Sequence, residues 1–129
     1  MKSYDLIVLG AGITGLSVAR QSLIQEPNCR ILILEKEYKV GMHGSGRNSG
    51  VLHSGIYYPS STLKAKFCAE GSKLMSQYCE DHNLPILRCG KIILPTKIAD
   101  ESQIDLLHDR GLANGASVEI ISQKEIREI

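Results

Sequence analysis

Near the start of the chain Gly10, Gly12 and Gly15 stand at GxGxxG spacing, directly after the apolar run Tyr4–Leu9 and directly before a helical pattern. That context carries more weight than the spacing alone. In such a turn the first glycine lets the chain reverse tightly, the second admits a pyrophosphate against the backbone, and the third lets helix and strand approach closely. Unpaired N–H groups and the positive helix end then favour phosphate. Glu35, twenty residues after Gly15, closes a second apolar run, where its carboxylate can accept a ribose hydroxyl and repels a 2′-phosphate. These residues point to an adenine dinucleotide without separating NAD from FAD.

A second stretch, "GSGRNSGVLHSGIYY" from Gly44 to Tyr58, is loose at first and chemically specific later. Gly, Ser and Asn favour turns over helix interiors, and Val51, Leu52 and Ile56 make the run too apolar for a linker. Such a segment is expected to lie against something. Arg47, Asn48 and Ser49 can donate hydrogen bonds to phosphate or to a ring, and small residues let the backbone approach. Two roles fit His53: a base in proton transfer near neutrality, or a hydrogen-bonding partner of backbone or cofactor. Tyr57 and Tyr58 can line a site or fill a core. Lys64 and Lys66 can face an anionic dicarboxylate or only solvent.

The elements that must position these groups follow from periodicity. Tyr4–Leu9 and Arg30–Glu35 are continuous apolar runs that predict strands. Between them Leu16, Ala19 or Arg20, and Leu23 recur about a turn apart until Pro27 and Asn28. This is a βαβ unit, whose strands should be parallel and buried on both faces. Further on, Leu63, Phe67, Gly71, Leu74 and Tyr78 mark one face of a helix that starts after Pro59 and stops at Asn83 and Pro85. Lys91–Pro95 and "SVEII" read as strands. A helix is expected from about Ala99 to Asn114, and another opens at the serine of "SQKEIREI".

Taken together, "GAGITG", "ILILEKE", "HGSGRNSGVLHSGIYYPSSTLKAKFC" and "CGKIILPT" resemble the D-amino-acid-oxidase-like FAD oxidoreductases over essentially the whole chain. The string Asn48 to Tyr58 is the most specific part, and it is most similar to the branch that oxidises L-2-hydroxyglutarate. The resemblance implies FAD, held by Gly10, Gly12, Gly15, Glu35 and Lys36, with Arg47, Asn48, Ser49 and Gly50 as a second flavin loop. It implies His53 as the catalytic group and a small 2-hydroxy acid as substrate, with oxygen or a quinone as electron acceptor. A glycine- or sarcosine-type amine oxidase of the same superfamily, or a nucleotide-binding fragment without turnover, are the other readings. Relatives of different subfamily attach the flavin covalently, for which His43 or His53 would serve.

Members of that family look about three times as long. The expected fold class is therefore α/β, a Rossmann-like βαβ FAD-binding half over residues 1–90 with the beginning of a second, substrate-binding domain over residues 91–129. An incomplete fold of this kind should expose a sheet edge and apolar patches.

Bulk properties bound the rest. A composition 43% hydrophobic and 22% charged is that of a globular protein. With net charge +1 and scattered basic residues, nothing calls for nucleic acid. Asp5 and the glycines interrupt the opening apolar run, so it reads as folded structure rather than an export signal or membrane span. Peripheral membrane contact stays open for the intact enzyme. Cys29, Cys68, Cys79 and Cys89 form no CxxC pair and no metal spacing with the four histidines, so no metal site and a reducing, cytoplasmic setting are expected.

Overall fold

The computed structural model describes residues 3–97 and 101–128, and backbone contacts group the chain into two units, Met1–Val51 and Leu52–Ile129. In the first unit β1 (Leu6–Leu9) and β2 (Ile31–Leu34) form a two-stranded parallel sheet, with α1 (Ile13–Gln25) between them in the chain. The fold is α/β, and the register pairs Leu6 with Ile31 and Leu9 with Leu34. Both strands are shorter than their apolar runs. At the lower end Asp5 is drawn into a clamp, its carboxylate accepting from the Arg30 backbone N–H at 2.9 Å and from the guanidinium at 2.8 and 2.9 Å. That guanidinium holds the Asp5 carboxyl down to about 2. At the upper end Glu35 leaves the ladder for the glycine turn. α1 ends at Gln25 because Pro27 disfavours helical geometry in the residue before it.

The expected burial of both sheet faces is not met. Val8 is the buried strand residue among those described, whereas Leu9 is 81% exposed. Among the described residues α1 is the one element of this unit set against the sheet, and each strand pairs on one side, leaving both outer edges without a strand partner. Parallel strands ordinarily need helices on both faces. A single βαβ unit provides one.

The second unit contains α2 (Leu63–Asp81), α3 (Glu101–Ala113) and the single turn α4 (Gln123–Ile126). Thr62 caps α2 by accepting from the Ala65 N–H at 3.2 Å, so the start lies just beyond the serines. Ser122 and Glu125 form a complete capping box at α4. The start of the third predicted helix, residues 99–100, lies outside the described residues. Two predicted strands, Lys91–Pro95 and the run at 117–121, carry no ladder. A strand exists only with a neighbour to receive its hydrogen bonds, and neither segment has one among the described residues. On α2 the covered positions are Ala65, Cys68, Ala69, Ser72, Ser76, Tyr78 and Cys79, while Leu63, Phe67 and Leu74 face water. Of the apolar stripe read from periodicity, Tyr78 is half-buried and the rest is exposed.

Isolated, the 129-residue chain should enhance the fluorescence of an apolar dye and elute partly as associated species. A monomer that leaves the dye dark and unfolds in one steep denaturant transition would contradict this picture.

Candidate functional site

The glycine turn is built as its spacing predicts. Gly10 has φ +99°, a region costly for any side chain, and its N–H donates to the Leu34 carbonyl at 2.7 Å, tying the turn to β2. Gly12 is the N-cap of α1, and a Cβ there would stand 3.0 Å from Ser45 Oγ. At Gly15 a Cβ would lie 2.1 Å from the Gly10 carbonyl oxygen and 3.0 Å from a Val8 methyl. No side chain fits between the first turn of α1 and the end of β1. The helix therefore begins pressed against the sheet, with its N-terminal N–H groups at the mouth of the turn.

Two side chains reach those donors. Glu35 Oε2 accepts the Ala11 N–H at 2.6 Å while Oε1 accepts the Glu37 N–H at 3.0 Å. The Ala11 bond above all, and then the Glu37 bond, hold the Glu35 carboxyl below its ordinary range. Ser45 Oγ accepts the Ile13 N–H at 2.9 Å. Among the described residues the N–H groups of Gly12 and Thr14 have no intramolecular partner, which leaves them for an anion. Beside them opens a cavity of about 750 Å³, within the size range of small-molecule and cofactor sites. Gly10, Gly12, Glu35 and Lys36 line it, joined by His43 and Ser45.

The structure thus brings four of the sequence-predicted residues together and sets Gly15 behind them as the contact that positions α1. Arg47, Asn48, Ser49 and Gly50 are exposed and lie outside the cavity lining. Asn48 Nδ2 donates to the carbonyls of Gly44 at 3.1 Å and Ser45 at 2.9 Å, and its Oδ1 accepts the Gly50 N–H at 2.7 Å. Ser49 Oγ accepts the Val51 N–H at 3.4 Å. Here these side chains shape their own loop, which also sets Ser45. Ser45 itself was not singled out by the sequence; its signal is a hydroxyl flanked by two glycines in a loop that must approach a helix end. His43 Nε2 lies 2.8 Å from Glu37 Oε1, on the cavity rim.

His53 belongs to the second unit, exposed, with its ring edge-on to Tyr57 at 6.3 Å between centroids. Its turn is held from several sides. Asn114 Nδ2 donates to the carbonyls of Gly55 at 2.9 Å and Tyr58 at 3.0 Å, and Arg110 reaches the Tyr57 carbonyl at 3.4 Å. Gly55 has φ +88°, and a Cβ there would stand 3.2 Å from the Ala65 carbonyl of α2.

A glycine cradle with donors at a helix end, a strand-end carboxylate and a cavity of cofactor size fit a dinucleotide. Residues 5–129 match the family model described as DAO, FAD dependent oxidoreductase. The chain belongs to that family of FAD-dependent oxidoreductases. It is 41% identical over 127 residues to the mitochondrial L-2-hydroxyglutarate dehydrogenase of Nematostella vectensis, covering 98% of this chain and 28% of that protein. With the mitochondrial enzyme of the same name from Dictyostelium discoideum it shares 42% over 123 residues, 95% of this chain and 28% of the relative. The L-2-hydroxyglutarate dehydrogenase of Salmonella houtenae is 38% identical over 125 residues, 97% of this chain and 30% of the relative. The chain spans less than a third of the length of these curated relatives. No helix among the described residues is long and apolar enough to cross a membrane.

Protonating Glu35 would weaken the bond to Ala11. Because folding lowers its pKa, the contribution is fully present above the ordinary glutamate range and is lost as pH falls through the lowered value. Glu35→Gln should mimic that loss at neutral pH. Hydrogen exchange at the Ala11 amide should accelerate severalfold, and an unchanged rate would remove Glu35 from the turn's support.

Proposed function

We propose that this chain forms the dinucleotide-binding part of an FAD-dependent enzyme that oxidises L-2-hydroxyglutarate to 2-oxoglutarate. The single observation that carries the cofactor is the α1 N-terminus, seated by Gly15 at the mouth of a 750 Å³ cavity with its Gly12 N–H unpaired. What supports the substrate is likeness to three relatives that bear the name L-2-hydroxyglutarate dehydrogenase.

When bound, FAD supplies the acceptor for the hydride that leaves the substrate's carbinol carbon. The residues' own tasks are distinct. Gly12 and Thr14 N–H groups, with the helix end behind them, receive the pyrophosphate, and Glu35 keeps lone pairs for the adenosine ribose beyond those taken by Ala11 and Glu37. Lys36 lines the cavity with its ammonium paired to Glu37 at 3.6 Å, and Arg47 to Gly50 form the second flavin loop. His53 accepts the substrate hydroxyl proton, so that hydride loss leaves a carbonyl. Residues 1–90 are assigned to the FAD-binding domain and 91–129 to the opening of the substrate-binding domain. The electron acceptor is oxygen or a quinone, and the four free cysteines suit a reducing, cytoplasmic compartment.

Anaerobic reduction of the flavin in the whole enzyme is the test. L-2-Hydroxyglutarate should bleach the visible flavin band, and His53→Ala should slow that bleaching by roughly 10²–10⁴-fold with flavin still bound. Bleaching by sarcosine or glycine, but by no 2-hydroxy acid, would replace this function with an amine oxidation.

A further inference from the structure

Three cations surround the turn Gly55–Tyr58, and each is held there by an uncharged partner. Lys91 Nζ lies 2.6 Å from Tyr57 Oη. Lys64 Nζ stands 5.5 Å from the centre of the Tyr58 ring, and Arg110 Nη1 reaches the Tyr57 carbonyl. Among the described residues none of the three forms an ion pair, whereas Arg30, Lys36 and Arg88 all sit on carboxylates. A cation held by a neutral oxygen or an aromatic ring keeps its charge for an incoming anion. Long-range Coulomb attraction from three such charges favours a dianion over a monoanion.

Lys91 is the most developed of the three. Its Nζ is 4.9 Å from the Tyr57 ring centre and close to the hydroxyl, so the link is a hydrogen bond beside the ring edge rather than a contact over its face. An ammonium carries three protons and no lone pair. One goes to Tyr57 Oη, two remain, and the phenol, acting as acceptor here, keeps its own O–H to donate. Ammonium and phenol can then each give a proton to one of the two oxygens of a single carboxylate, a charge-assisted pair of bonds. Neither group has to be recruited. Tyr57 sits on a turn fixed by Asn114, and Lys91 is tied to it across 34 residues of sequence. Tyr57 is also the residue against which the His53 ring rests.

We propose that Lys91 and Tyr57 form the clamp for the distal carboxylate of a short 2-hydroxy dicarboxylic acid, and so determine specificity for a substrate with two carboxylates. The inference rests on the function proposed above, with His53 at the hydroxyl. The carboxylate next to the reacting carbon must stay near the base, which leaves the distal one for the clamp.

Rapid-mixing reduction of the flavin in the whole enzyme gives the substrate dissociation constant and the limiting rate separately. L-2-Hydroxyglutarate is compared with L-2-hydroxypentanoate, which has the same five carbons and one carboxylate. Lys91→Gln should weaken the dicarboxylate by at least about tenfold, as expected for loss of a charge-assisted bond, and the monocarboxylate by less than about twofold. Lys91→Arg should restore most of the difference. Tyr57→Phe should give an intermediate loss for the dicarboxylate alone. If Lys91→Gln purifies without flavin, the Tyr57→Phe comparison decides. Equal weakening of both acids, or of neither, while L-2-hydroxyglutarate still reduces the flavin, would overturn the clamp and leave the function standing. Reduction by an amine and by neither acid would overturn both.

Discussion

The first turn of α1 crosses the end of β1 at a separation that leaves no room for a Cβ at Gly15, and the candidate cavity depends on that approach. With the helix so close, its N-terminal N–H groups sit at the carboxyl end of the strands rather than over the middle of the sheet. Glu35 at the end of β2 can then reach Ala11, and Ser45 can reach Ile13. Each bond ties a different segment to the same helix end. A bulkier residue at position 15 would move the helix and release both segments together.

The second unit uses the same device for another purpose. Gly55 and Gly111 stand where a Cβ would run into the Ala65 carbonyl and the Val118 side chain. Their small size lets the turn carrying His53 and Tyr57 approach α2, and lets α3 approach the segment around Val118. Asn114 and Arg110 then fix the turn through its backbone carbonyls, which costs Tyr57 none of its side-chain hydrogen-bonding capacity. Rigid backbone with unspent side-chain donors is the preorganisation a binding site requires.

Much of this was legible in the sequence because it depends on local chemistry. The two strand runs, the helix between them, the helix limits at Pro27 and Asn83, and the serine cap at Ser122 each follow from residues within a few positions of one another. What could not be read depends on partners distant in the chain. Lys91–Pro95 and the run at 117–121 have strand-forming composition, but a ladder needs a neighbour that composition does not supply. Leu63, Phe67 and Leu74 mark an apolar face correctly, and only tertiary structure decides whether that face is covered. The Lys91–Tyr57 bond joins residues whose pairing no spacing rule anticipates. Ser45 was hidden for a related reason, since a serine between glycines looks like any loop serine until a helix end is placed against it.

The closeness of α1 to β1 is tested most directly by comparing two glycine-to-alanine changes in the whole enzyme. Both glycines lie in helices, but a Cβ at Gly71 of α2 meets nothing within 4 Å, while at Gly15 it meets the Gly10 carbonyl at 2.1 Å. The measurement is the amount of flavin retained after purification, together with FAD affinity on reconstitution. Gly71→Ala should keep its flavin and gain slight stability from the less flexible unfolded chain. Gly15→Ala should purify with little flavin and bind added FAD at least about tenfold more weakly, as an overpacked contact of this kind implies. Full flavin content and unchanged affinity in Gly15→Ala would contradict the account.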